Sequence, residues 1–167
     1  DAAHGTNPAS VAMAGYKVVE VKSNAAGLVD LEDFESKIND KVAGFMLTNP
    51  NTLGLFEENI SKISSLIHAV DGLMYMDGAN MNAMLGLARP ADMGFDITHL
   101  NLHKTFSTPH GGGGPGAGPI GVTDKLLDYL PRPRVESKAG KFYLNYDYPH
   151  TIGRVHAFYG NFGILLR

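Results

Sequence analysis

A chain of 167 residues with 44% hydrophobic side chains can build one domain with a filled core, and its formal net charge of −3 leaves no basic footprint for nucleic acid or an anionic membrane. Cysteine is absent, which excludes disulfides, thiolate nucleophiles and cysteine metal sites, and no apolar run approaches the roughly 20 residues of a bilayer span. The chain opens on Asp1 with no signal-peptide pattern and ends on Ile164-Leu165-Leu166-Arg167, so both ends read as cut from a longer protein.

In chain order, Asn7-Pro8 predicts a helix start, with Asn7 as N-cap and Pro8 at the first helical position, and Gly15 ends that helix. Lys17 to Val21 alternates like a strand with one buried face. Asp30 caps a short helix whose Leu31, Phe34 and Ile38 form one stripe. Val42 to Thr48 is a continuous apolar run, the pattern of a strand covered on both faces. From Glu57 to Val70 the apolar residues Ile60, Ile63, Ile67 and Val70 recur at helical spacing, and Gly72 supplies the stop.

Leu73 to Met76 and Ile97 to Leu102 read as further strands, and Ile120 to Val122 as a short one. Asp124 to Leu130 predicts a short helix, Pro131 to Thr151 an extended loop or small hairpin, and Arg154 onward a helix. Strands alternating with helices predict an α/β fold with a mostly parallel sheet, and ligands of such sheets sit beyond the carboxyl ends of the strands. Thr48-Asn49, Asp77 and His103-Lys104 fall at those ends.

Lys104 follows an apolar strand-like run and precedes the glycine-rich stretch from Gly111 to Pro119. Burial there would favour a neutral amine able to attack a carbonyl, and glycines would let backbone approach a ligand closely. The stretch is not a phosphate-binding P-loop, because His103 precedes the lysine and the glycines follow it. Gly116 to Gly121 has the letters of a dinucleotide fingerprint, but it leads into a strand instead of joining strand to helix. A metal reading, with His99, Asn101 and His103 on one strand face near His110, Asp92, Asp96 and Asp77, lacks the compact ligand spacing of the usual sites, so no metal is expected.

An aldehyde-binding lysine and an aspartate at a neighbouring strand tip are what pyridoxal phosphate chemistry requires. Asp77 would serve as counter-ion to a protonated pyridine nitrogen, or merely cap the turn Gly78-Ala79-Asn80. Thr48 or Asn49 would donate to the ring hydroxyl, or merely build an Asn- and Pro-rich turn. His4 would stack on the ring, or cap the first helix.

Four stretches together resemble the P-protein of the glycine cleavage system, glycine dehydrogenase (decarboxylating), in its lysine-bearing half or subunit 2. They are Ala3 to Ala9, Thr48 to Glu57, Tyr75 to Asn80, and Asn101 to Gly118 with its His-Lys-Thr-Phe and tetraglycine string. Gly153 to Val155 and Ala157 to Gly163 extend the similarity along nearly the whole chain.

The resemblance implies the large domain of a fold type I enzyme dependent on pyridoxal 5'-phosphate, with residues 1–167 a fragment of that domain. Lys104 would hold the cofactor aldehyde, Asp77 the ring nitrogen, Ala79 one ring face and His4 the other. His103 and Thr105 would reach the phosphate or orient the lysine. The implied reaction decarboxylates glycine and passes the aminomethyl group to the lipoylated H-protein, releasing CO2. The implied partners are a companion P-protein subunit or half in an oligomeric parent, in the cytoplasm of a bacterium or, for a eukaryote, the mitochondrial matrix, the former favoured.

The alternatives are another fold type I enzyme acting on a small amino acid, such as a hydroxymethyltransferase or aminotransferase, or a non-catalytic fragment. Family members are longer and supply the main phosphate-binding turn upstream and a small domain downstream. The expected outcome is that the 167-residue chain alone binds pyridoxal phosphate weakly and does not turn over glycine; robust glycine–bicarbonate exchange by it would overturn that expectation.

Overall fold

The computed structural model describes residues 4–110 and 117–155, with Gly163 and Leu166. The expected glycine loop at 111–116 and most of the helix expected after Arg154 lie outside the described residues. Helix α1 (Thr6–Met13) opens one residue before Asn7, so Asn7 is inside the first turn and not its N-cap. Its side chain is committed to Asp77, and the helix start is held by His4, whose Nδ1 accepts from the Thr6 N–H at 3.2 Å. Gly15, with φ +84°, closes the helix as expected.

Residues 17–21 form no strand. A strand needs a hydrogen-bonded neighbour, and the pairing near this segment is confined to a single bridge between Ser23 and Val29. Helix α2 (Leu31–Lys37) is capped by Asp30, whose side chain accepts from the Asp33 N–H, and it buries Phe34. Phe34 packs edge-on against Phe45, with ring centroids 4.9 Å apart.

Strands β1 (Gly44–Leu47), β2 (Leu73–Asp77) and β3 (Ile97–His99) are parallel neighbours, and β4 (Ile120–Val122) pairs antiparallel on the far side of β3. Helix α3 (Ile60–Ala69) connects β1 to β2 and is shorter at its start than its apolar period predicts. Glu57, expected in its first turn, is instead 4% exposed in the preceding loop, where it accepts from the N–H groups of Val29 and Asn59. The left-handed residue after α3 is Asp71, φ 61°, and not Gly72. Gly72 is needed for space, because a Cβ there would lie 2.9 Å from Ile67 Cγ2.

Side chains alternate along each strand, so the two sheet faces differ. Met74 and Met76 on β2, with Leu47, meet Ile60, Ile63 and Ile67 of α3 and Met81, Met84, Met93 and Phe95 in one core. The opposite face carries Tyr75, Asp77 and His99, with α1 reaching it through Asn7 and the segment around 16–22 lying over it. A cavity of about 590 Å³ remains under that segment. The expectation that Val42 to Thr48 is covered on both faces therefore holds for the face of Phe45 and Leu47 only, since on the other Gly44 is exposed and Met46 half-buried.

Residues 124–129 form a 3-10 helix (Asp124–Tyr129), and the segment after it is the hairpin β5 (Arg134–Lys138) and β6 (Lys141–Asn145). Its two-residue turn places Ala139 at φ 50° and Gly140 at φ 75°, the primed geometry that matches strand twist.

One buried carboxylate ties the amino-terminal ends of the strands together. Asp96, 5% exposed, accepts from the Met74 N–H at 2.8 Å, from His68 Nε2 of α3 at 2.8 Å, and from Lys125 Nζ at 2.7 Å. Burial alone would raise its pKa, but the Lys125, Met74 and His68 contacts outweigh burial and hold it below the ordinary value. Its contribution to stability is therefore present above about pH 4 and lost as pH falls through the lowered folded-state value. Asp96→Asn should lower stability by about 1–3 kcal/mol at neutral pH and flatten the acid limb. Urea midpoints measured between neutral and acid pH check this, and parallel acid limbs in the two proteins would refute it.

Candidate active site

The carboxyl end of β2 places Asp77 inside the protein, 6% exposed. Its Oδ2 accepts from Asn7 Nδ2 at 2.9 Å and from Thr48 Oγ1 at 3.4 Å. Its Oδ1 accepts from the Ala79 N–H at 3.1 Å, and His99 Nε2 lies 3.4 Å away. Burial by itself would raise this carboxyl, but the Asn7 amide, the Ala79 N–H and the positive charges on His99 and Lys104 together hold it below the ordinary carboxylate range. Asp77 is an anion at neutral pH. The Thr48 bond is at the long limit of hydrogen bonding and the His99 approach is a charge contact only, which leaves acceptor capacity for a stronger donor.

Lys104 does not continue β3 as the apolar run to Leu102 suggests. The strand stops at His99, and Lys104 sits on the short helix α4 (Leu102–Thr105), exposed. Burial of the kind expected at a strand end is therefore not supplied by this chain. Three bonds clamp α4 to the loop after β2 and to the returning chain. Asn101 N–H donates to the Ala79 carbonyl at 3.2 Å, Met81 N–H to Thr105 Oγ1 at 2.9 Å, and Leu102 N–H to the Ala117 carbonyl at 3.0 Å. These contacts bring Lys104 close enough to Asp77 for its charge to act on that carboxylate.

The other expected site residues divide. Thr48 reaches Asp77, and Ala79 joins it through its backbone. Asn49 is 2% exposed, its Oδ1 accepts from the Glu57 N–H at 2.9 Å, and its Nδ2 lies 3.6 Å from Met93 Sδ. It braces the turn after β1, and its burial corrects the expectation that it faces a ring hydroxyl. Thr105 is engaged with Met81, as above. His4 is exposed and caps α1, and that helix reaches Asp77 through Asn7.

His103 is on α4 and not on a strand face with His99, which undoes the alternation on which the metal reading rested. Its ring lies 4.4 Å from that of His110, and burial, with the charges of His110 and Lys104, pushes its pKa down. His103 Nδ1 is buried without a hydrogen-bond partner among the described residues.

Three site residues escape the sequence reading. Asn7 looks like a cap, His99 like a metal-face histidine, and Tyr75 like part of an apolar strand. Alternation along β2 already pairs Tyr75 with Asp77, but the register that sets His99 opposite Asp77 is not visible in sequence.

The aminotransferase class-V family profile matches residues 3–122. The chain belongs to that family. It is 62% identical to the "Probable glycine dehydrogenase (decarboxylating) subunit 2" of Caldanaerobacter subterraneus over its whole length and 34% of the relative's. Proteins of the same printed name are 60% identical in Chloroherpeton thalassium, across 100% of this chain and 35% of the relative, and 61% identical in Pyrococcus furiosus, across 100% and 34%. The chain thus spans about a third of the length of the curated relatives it matches.

Among solved structures, cystathionine gamma-lyase from Lactobacillus plantarum complexed with L-serine superposes with a TM-score of 0.50, covering 74% of this chain and 30% of that one at 23% identity. That likeness is one of fold, and the mostly parallel sheet with flanking helices is the fold type I arrangement of this class-V chain.

Gly78, between Asp77 and Ala79, is where the site is tightest. A Cβ there would meet the His99 carbonyl oxygen at 2.6 Å and Met81 Sδ at 2.9 Å. Gly78→Ala is expected to cost about 1–3 kcal/mol through overpacking between β2 and β3. An unchanged urea midpoint would refute this tightness.

Proposed function

We propose that the chain is the lysine-bearing part of a pyridoxal 5'-phosphate-dependent enzyme that decarboxylates glycine and passes the aminomethyl group to the lipoyl arm of H-protein. The observation that carries this reading is a buried, anionic Asp77 at the carboxyl end of β2, with Lys104 on the short helix α4 that is hydrogen-bonded to the loop following Asp77. Relatives about 60% identical across this whole chain carry the name glycine dehydrogenase (decarboxylating) subunit 2, which supports the substrate and the reaction. The same name supports a companion subunit in an oligomeric parent.

The residues present fit the cofactor. Asp77 has spare acceptor capacity for a pyridinium N–H, Ala79 follows it at the strand tip, and the unpartnered Nδ1 of His103 lies on the same short helix as Lys104. Bound there, pyridoxal phosphate supplies an electron sink for the pair left on the glycine α-carbon when CO2 departs.

Lys104 provides the amine that holds the aldehyde, and Asp77 holds the proton on the ring nitrogen by its negative charge. Thr48 donates beside it, and His4 at the start of α1 supplies a planar face for stacking. His103, kept neutral by its lowered pKa, offers an acceptor nitrogen beside the lysine. The carbon–carbon electron pair ends in a new carbon–sulfur bond as the lipoyl disulfide opens, so one sulfur bears the aminomethyl group and the other becomes a thiol.

The test is borohydride reduction of the full-length protein in the presence of pyridoxal phosphate, followed by peptide mass mapping. The adduct should fall on Lys104, and Lys104→Ala should abolish both the adduct and the visible absorbance of the bound cofactor. Label spread across surface lysines, or absorbance surviving in Lys104→Ala, would overturn the assignment.

A further inference from the structure

Helix α1 buries one side chain, and that side chain is polar. Asn7 is 9% exposed, while the rest of the helix is exposed apart from the half-buried Val11. A helix seated by packing alone would bury apolar residues on this face. Asn7 instead lies against Asp77, 70 residues away and itself buried, with Nδ2 2.9 Å from Oδ2. An ionised carboxylate accepts and cannot donate, so the amide is turned with its NH2 group towards the acid. The proposed function employs Asp77 and leaves this bond without a task.

The other contacts of the carboxylate are longer or act at a distance. Thr48 Oγ1 stands 3.4 Å from the same oxygen, and the Ala79 N–H donates to Oδ1 at 3.1 Å. His99 of β3 and Lys104 of α4 act through charge. The Asn7 bond is the shortest that Asp77 receives among the described residues. Burial pushes the carboxyl up, and among the contacts that bring it below the ordinary carboxylate range the Asn7 bond stands first.

A proton shared between a carboxylate and a pyridine nitrogen can rest on either partner. Away from water the neutral pair competes with the ion pair, and a hydrogen bond donated to the carboxylate favours the ion pair. We infer that Asn7 is a positioning residue whose bond to Asp77 Oδ2 keeps this carboxylate the anion of its pair with the cofactor's ring nitrogen, so that the shared proton stays on the ring. This rests on the function proposed above.

The experiment places pyridoxal phosphate carrying nitrogen-15 in its ring on the full-length protein with its companion subunit. Nitrogen NMR then reads whether the bound ring nitrogen carries a proton. Wild type is compared with Asn7→Leu and Asn7→Ala at one neutral pH, and Asp77→Asn marks the signal of a ring without its anion. Leucine keeps the branched shape of asparagine and favours helix, so the first variant removes the donor while the space stays filled. Borohydride mapping first establishes that each protein carries the cofactor on Lys104, so the state of that amine is common to all.

Wild type should give the signal of a protonated ring nitrogen. Both Asn7 variants should move it towards that of Asp77→Asn, the proton equilibrium shifting about tenfold, as for the loss of one hydrogen bond to a charged group. A bond that only anchored α1 would lower the urea midpoint of the variants and leave the ring signal in place, and that result overturns the inference. Where Asn7→Leu fails to fold, Asn7→Ala decides. Where a variant folds without holding the cofactor, carbon-13 NMR of the Asp77 carboxyl in the free protein decides. Its protonation midpoint should lie above that of wild type, and an unchanged midpoint overturns the inference equally.

The two failures stay apart. A wild-type cofactor fixed away from Lys104, or a wild-type ring nitrogen without a proton, defeats the functional reading beneath. Unchanged Asn7 variants beside a protonated wild-type ring defeat only this inference.

Discussion

A carboxylate can stay charged inside a protein only if donors replace the water it has lost, and the region around Asp77 is organised by that requirement. Four groups from four parts of the chain converge on it: Asn7 of α1, Thr48 after β1, the Ala79 N–H after β2, and His99 of β3. Each contact also fixes a piece of structure. The Asn7 bond seats α1 on the sheet, and the loop carrying Ala79 in turn receives Asn101 and gives Met81 to Thr105, which locates Lys104. The position of the lysine is thus a consequence of the anion's demand for partners.

The same device appears twice more. Asp96 gathers Met74, His68 and Lys125 at the opposite end of the strands, and Glu57 gathers Val29 and Asn59 between α2 and α3. Between these polar ties lies a core rich in methionine, with Met74, Met76, Met81, Met84 and Met93 packed around the isoleucines of α3. Unbranched thioether chains fill irregular gaps, and the directional hydrogen bonds of the three acids supply a register that such adaptable packing does not. The division of labour is clear on β2, where Met74 and Met76 face the core while Tyr75 and Asp77 face the site.

Local signals in the sequence carried much of the fold. The Asp30 cap, the isoleucine period of α3 and the apolar runs of β1 and β2 depend on residues near one another in the chain, and the structure forms all of them. Where the reading failed, a distant partner had intervened. Asn7 is drawn from its cap position by Asp77, residues 17–21 lack a neighbour to pair with, and β3 ends early because Asn101 and Leu102 donate to Ala79 and Ala117. Asn49 carries a strong motif signal, yet its side chain is spent on Glu57 and Met93.

By itself the sequence determined which residue types could do chemistry, an amine before a glycine loop and an acid at a strand tip, along with the family resemblance their motifs carry. Tertiary structure alone decided which of them meet. It set His99 across from Asp77, turned Lys104 onto an exposed helical turn, brought Asn7 to the carboxylate and withdrew Asn49 into the interior. The physical reason is that strand register and helix docking follow from long-range burial and from satisfying buried charge, which no local window of sequence records.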